Sequence, residues 1–264
     1  MAERGRAWQL LVALVMVVMV ALPVQARPVL NVAICDDFPP FYYRDEDGSL
    51  RGASYEIALE LAGRLGYDMR VSQFATMRLM LAELESGRQD LAVNLTATPE
   101  RQQLALFTQT PHLIESHHLI ARADNRLEFD GQIGSLSRYR LGLILGWTYG
   151  AALDNAAYLD KSYASSSVEQ LKSLIAGRFD LAVNNPQFML YLAHQLGISK
   201  SIRVIEPAVF ELPVTMAVSR RYPRAEQLRN ALEAAIQQFR QEAGYQEILQ
   251  RYGFSVDSGL ADGG

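Results

Sequence analysis

Residues 81–94, LAELESGRQDLAVN, return at 171–184 as LKSLIAGRFDLAVN, with nine of fourteen positions identical at an offset of 90. The shared frame L-x-x-L-x-x-G-R-x-D-L-A-V-N reads as the end of an amphipathic helix, a glycine stop and a short buried strand. Any helix-to-strand turn favours a glycine, but that preference does not explain identity across the rest of the frame. We therefore expect two similar α/β lobes. In both copies the strand runs into asparagine, Asn94 in the first and Asn184-Asn185 in the second. Ligands of open α/β sheets bind beyond the carboxyl ends of the strands. Two lobes facing each other would bring both asparagine ends to one cleft.

The rest of the chain fits this plan. Strands are predicted over Val29–Ile34, Met69–Phe74, Asp90–Leu95, Arg140–Leu145 and Val214–Val218. Helices are predicted over Ser54–Leu65, Met77–Leu84, Ser166–Ile175, Pro186–Leu196 and, with a break at Gly244, Pro223–Tyr252. Another helix starts at Thr98-Pro99, a natural cap followed by proline at the first helical position. Asp45–Ser49 is turn chemistry. Alternating strands and helices point to an α/β fold with largely parallel sheets. Short strands near 113–120 and 207–213 are expected to carry the chain between the lobes.

Composition narrows the function. With 264 residues, 49% hydrophobic and a net charge of −4, the chain is globular, and it lacks the basic excess of a nucleic-acid binder. A lone cysteine, Cys35, forms neither an intramolecular disulfide nor a cysteine-rich metal site. At the N-terminus, Arg4 and Arg6 precede an apolar run from Trp8 to Pro23 and then Val24-Gln25-Ala26, a small-x-small pattern. This is the layout of a secretory leader, residues 1–26, cleaved after Ala26. The run is too short for a spanning helix, and the bulky Ile34 before Cys35 argues against lipidation.

Several stretches, in order, resemble family 3 of the bacterial extracellular solute-binding proteins, the polar amino acid type. They are DDFPPFYYRDEDGSLRGASYEIALELAGRLG (36–66), LESGRQDLAVNLTATPERQQLALFT (84–108), GLILGWTYGAAL (142–153), LIAGRFDLAVNN (174–185) and YQEILQRYG (245–253). The resemblance implies a two-lobe periplasmic-binding-protein type II fold. Residues 27–115 and 211–255 would form a discontinuous first lobe, 116–210 the second, and 256–264 a frayed tail. It further implies a monomer in the periplasm that closes over a small carboxylate-bearing solute, without cofactor, and delivers it to an ABC permease. Two alternatives stay open: a sensor-type receptor signalling to a membrane partner, and a cyclohexadienyl dehydratase-like enzyme.

The resemblance also implies a ligand site. Arg101 in Thr98-Pro99-Glu100-Arg101 matches the arginine that binds the carboxylate. The residues themselves agree, because a cation in the first turn of a helix sits against a positive dipole end and wants an anion to meet, and a guanidinium grips a carboxylate with two parallel bonds. Thr96, Asn94 and Thr148 match further polar contacts, Phe38 the aromatic cover and Met77 the apolar wall opposite. Tyr42, Trp147 and Arg78 are weaker candidates. The family's second-lobe aspartate, which meets the ligand's α-ammonium, is replaced here by Asn184, with Asn185 next to it. An amide there would weaken the grip on an α-ammonium about tenfold or more; either Asp36 or Asp37 supplies the charge, or the ligand is a carboxylate without an α-ammonium group. His117-His118 is not read as a metal site, since neighbours on a strand point to opposite faces.

Overall fold

The computed structural model describes residues 26–254. The leader, apart from Ala26, and the tail lie outside the described residues. In chain order, β1 (Val29–Cys35), the hairpin of β2 (Tyr43–Arg44) and β3 (Leu50–Arg51), α1 (Ala53–Arg64), β4 (Asp68–Phe74), α2 (Met77–Ser86), β5 (Leu91–Leu95), α3 (Pro99–Leu104) and β6 (Ala105–Phe107) come first. Then β7 (Leu113–Arg122) leads to β8 (Arg140–Ile144), α4 (Ala151–Asp154), β9 (Asp160–Ala164), α5 (Ser167–Ile175), β10 (Leu181–Asn184) and α6 (Pro186–Gln195). β11 (Ile202–Ser219) leads back to α7 (Ala225–Phe239) and α8 (Ala243–Arg251).

The strand order β4-β1-β5-β11-β7-β10-β8-β9 reads the same way from either end. In one half β4, β1 and β5 run parallel and β11 lies antiparallel beside β5. In the other half β9, β8 and β10 run parallel and β7 lies antiparallel beside β10. β7 and β11 pair with each other in the middle, with a register break in β11 between Ile205 and Phe210. The result is an α/β fold of two lobes. β5 and β10, the strands of the repeated frame, are buried along their whole length, as expected of parallel strands covered on both faces.

The frame owes its length to paired duties at both ends. Gly87 closes α2 at φ 77° and Gly177 follows α5 at φ 70°, a left-handed conformation that costs glycine nothing. Three residues on, each aspartate ties its strand to the neighbouring one. Asp90 accepts from the backbone N–H of Asn31 at 2.8 Å, and Asp180 accepts from the backbone N–H of Arg140 at 2.9 Å. Helix stop, strand anchor and apolar strand are thus one unit used twice. Separate apolar cores lie behind the two halves, one around Leu30, Ile57, Leu61 and Leu232, the other around Leu119, Leu141, Leu153 and Leu181.

Two expectations change. Residues 202–219 form one continuous strand, although Pro207 and Pro213 interrupt the pattern; both prolines are accommodated, with Pro213 opposite Ile114. The helix break near the C-terminus falls at 240–242, and Gly244 is the second residue of α8. A Cβ there would stand 3.4 Å from the Phe239 ring, an ordinary contact, so packing alone does not demand glycine. β9, which was not predicted, pairs in register with β8.

Candidate functional site

Two adjoining cavities lie where the lobes meet. The smaller, about 50 Å³, is bordered by Asn94, Thr96, Arg101, Glu115, His117 and Thr148. The larger, about 300 Å³, is bordered by Asp36, Asp37, Thr76 and Ser165–Ser167. Cys35, Phe38, Tyr42, Met77 and Trp147 border both.

Arg101 is placed by local chain chemistry. Thr98 caps α3 through its side-chain oxygen, which accepts the Arg101 N–H, and Pro99 takes the first helical position. The side chain then turns off the helix and is 7% exposed. Its Nη1 donates to the Thr96 carbonyl at 2.9 Å and its Nη2 to the Gly146 carbonyl at 3.0 Å. Thr96 follows β5 and Gly146 follows β8, so one guanidinium spans both lobes. Burial pushes its pKa down from the usual value, but a guanidinium stays charged in a protein. Five N–H donors serve two carbonyls, and no carboxylate among the described residues pairs with it.

The neighbours of Arg101 are held in turn. Asn94, the penultimate residue of β5, stands at φ 63°, a left-handed conformation that asparagine tolerates. Its Oδ1 accepts from Ser54 Oγ at 2.8 Å, and Ser54 Oγ lies 3.0 Å from Nε2 of the fully enclosed His112. Thr96 donates its hydroxyl to the Pro213 carbonyl, and Thr148 donates its hydroxyl to Asp154. Phe38 meets Trp147 and Phe188 of the second lobe edge-on, at 5.4 Å and 4.7 Å between ring centroids. Arg101 and Phe38 are therefore both points at which the lobes touch. Burial pushes the Cys35 thiol up to about 12, so it stays protonated.

Of the eight residues predicted for the site, six border the smaller cavity: Arg101, Thr96, Asn94, Phe38, Thr148 and Met77. Asn184 and Asn185 border neither cavity. Asn184 is fully enclosed, with Nδ2 donating to Gln170 Oε1 at 2.7 Å and Oδ1 accepting the Asn185 N–H at 2.7 Å. The Asn185 side chain caps α6 by accepting the Phe188 N–H, and it donates to the Ser116 carbonyl. Pro186 starts α6 two residues after Asn184, so Asn185 serves as the helix cap while Asn184 is tied to Gln170. Arg78 is exposed and borders neither cavity.

Two further residues border the smaller cavity: Glu115, which the sequence did not single out, and His117, which was weighed only as a metal ligand. Glu115 and His117 stand two apart on β7 and share a face, with His117 Nε2 2.8 Å from Glu115 Oε1. His118 faces the other way, its ring nitrogen 2.9 Å from Ser116 Oγ. The signal was a run of four polar residues, Glu115 to His118, inside a strand otherwise apolar from Leu113 to Ala121, of which Glu115 and His117 share one face.

The order and pairing of the strands, with the cleft between the two halves, define a periplasmic-binding-protein fold. A histidine kinase sensor domain with similarity to periplasmic binding proteins superposes with a TM-score of 0.73 at 20% identity, covering 86% of this chain and 96% of that one. The model of the bacterial extracellular solute-binding proteins, family 3, matches residues 30–255, and the chain belongs to that family. It is 29% identical over 162 residues to the L-cystine-binding protein TcyJ of Escherichia coli K12, over 60% of this chain and 59% of that protein. It is 27% identical over 157 residues to the arginine-binding extracellular protein ArtP of Bacillus subtilis, over 56% of this chain and 57% of that protein. The chain thus spans less than two thirds of the length of these curated relatives.

Proposed function

We propose that this chain is an exported receptor that captures a small polar carboxylate-bearing solute, an amino acid or a relative of one, by closing its lobes, and presents it to an ABC permease. The observation that carries this reading is Arg101: a buried guanidinium at the meeting of the lobes, with donors left over and no carboxylate partner among the described residues. A carboxylate on those donors would gain charge-assisted bonds in a site sheltered from water. Thr96 comes from the first lobe and Thr148 from the second, so full contact exists in the closed form, and ligand shifts the population toward it.

We divide the chain into 27–115 with 211–255 and 116–210, because β7 and β11 cross between the halves and β11 breaks register between Ile205 and Phe210. Export rests on the leader pattern of residues 1–26 and on the family's description as extracellular. We read the protein as a monomeric receptor and not as an enzyme; the two curated relatives are themselves named as binding proteins.

A thermal-shift screen of the mature protein against amino acids, keto acids and dicarboxylates tests this. A ligand at about 100 times its dissociation constant adds about 2.7 kcal/mol of stability. Arg101→Ala is expected to abolish that shift. A variant that keeps it removes the carboxylate role.

A further inference from the structure

The smaller cavity holds both signs of charge, and the two do not meet. Arg101 bonds to two backbone carbonyls, while Glu115 pairs with His117. Had both side chains been merely structural, the simplest arrangement in so small a space would be an ion pair between them, which repays part of the desolvation of each. Their separation leaves a positive and a negative wall facing one volume.

We propose that Glu115, held in place by His117, is the seat for a positively charged amino group, so that the cavity takes a zwitterion with its carboxylate on Arg101 and its ammonium on Glu115. This deepens the function proposed above and rests on the carboxylate role of Arg101. Glu115 is 6% exposed and His117 1%, and both border the cavity. The pair to His117 occupies Oε1 and leaves Oε2 for a ligand. The imidazole itself cannot swing away: it is stacked on Phe210 at 4.8 Å and edge-on to Tyr149 at 5.9 Å. Its Nδ1 is buried without a hydrogen-bond partner, an uncommon state for a polar atom in a packed interior. Asn184 does not compete for the role, because it borders neither cavity. Asp37 does so weakly, since one of its oxygens already accepts from Gln73 Nε2 at 2.8 Å and from the Arg44 N–H.

The test compares matched ligands on the mature protein by calorimetry. The twenty L-amino acids are screened, and each that binds is set against the carboxylic acid that carries hydrogen in place of its amino group. Wild type is expected to bind at least one amino acid, and its des-amino partner at least tenfold more weakly. Glu115→Gln should lower affinity for the amino acid about tenfold or more and leave the des-amino acid within threefold; Glu115→Asp should restore part of the loss. Equal binding of the two ligands by wild type overturns the proposal, as does undiminished amino acid affinity in a folded Glu115→Gln. If Glu115→Gln does not fold, the wild-type pair decides alone. If carboxylic acids without an amino group are the ligands that bind, the Glu115 role falls while the Arg101 role stands. If no carboxylate binds, both fall.

Discussion

Asn94 and Asn184 hold the same place in the repeated frame, yet Asn94 borders the cavity while Asn184 is fully enclosed. The difference arises just downstream. After Asn94, Leu95 completes β5 and Thr96, Ala97 and Thr98 form a loop long enough to carry Thr96 past the sheet and to cap α3. Between Asn184 and Pro186 there is Asn185 alone, and it is needed as the cap of α6. The first lobe therefore opens its strand end to the cavity, and the second closes its own with a net of amides. A repeated frame fixes the helix, the turn and the strand, whereas the loop after it decides whether the strand end can serve a site.

The sharpest way to break this comparison is Asn184→Asp. Gln170 Nε2 is fixed by the Gly142 and Val183 carbonyls, so its Oε1 must face residue 184. A carboxylate there sets oxygen against oxygen in an enclosed site. We expect a loss of roughly 3 kcal/mol in urea unfolding with no gain in affinity for amino acids. Tighter amino acid binding at unchanged stability would return residue 184 to the ligand site.

Acid separates the two lobes next. Asn94 rests on Ser54 and His112, and burial holds His112 down at about 3, whereas the partners of Asn184 do not titrate. An imidazole in the unfolded chain takes up its proton near pH 6.5, at about the reference value. The unfolded state therefore binds more protons below that pH. This contribution to stability is complete above about pH 6.5 and falls by about 1.4 kcal/mol per pH unit as the pH drops toward 3. By pH 5 the loss is about 2 kcal/mol. His112→Gln, which can keep a bond to Ser54, should flatten that part of the pH profile of the urea midpoint; an unchanged slope would show that His112 does not supply it.

A smaller effect distinguishes the two glycine stops. Alanine at either costs about 1–2 kcal/mol for the left-handed backbone. At Gly87 the added Cβ also meets Arg221 Cβ at 2.7 Å, while at Gly177 its nearest neighbour, Arg122 Nη1, is 3.9 Å away. Gly87→Ala should thus lower the melting temperature more than Gly177→Ala. Equal losses would mean that Arg221 moves aside freely.

Much of this was legible in the sequence because it depends on local pattern. The repeated frame announced two lobes, and Thr98-Pro99 announced the helix start that places Arg101. The fate of Asn184 was not legible, because it turns on Gln170, which stands fourteen residues away and is brought near by packing of α5 on β10. Glu115 and His117 were passed over for a related reason. A polar pair on a strand has no meaning until the strand is known to run between the two halves and to border the same cavity as Arg101.

The central claim is that the Arg101 guanidinium receives the carboxylate of a ligand closed between the lobes. A crystal structure of the mature protein with a ligand from the thermal-shift screen tests it most directly. The account predicts a ligand carboxylate within hydrogen-bond distance of the Arg101 guanidinium and in contact with both lobes. A ligand carboxylate seated elsewhere, with Arg101 still bonded to nothing but the Thr96 and Gly146 carbonyls, would contradict it.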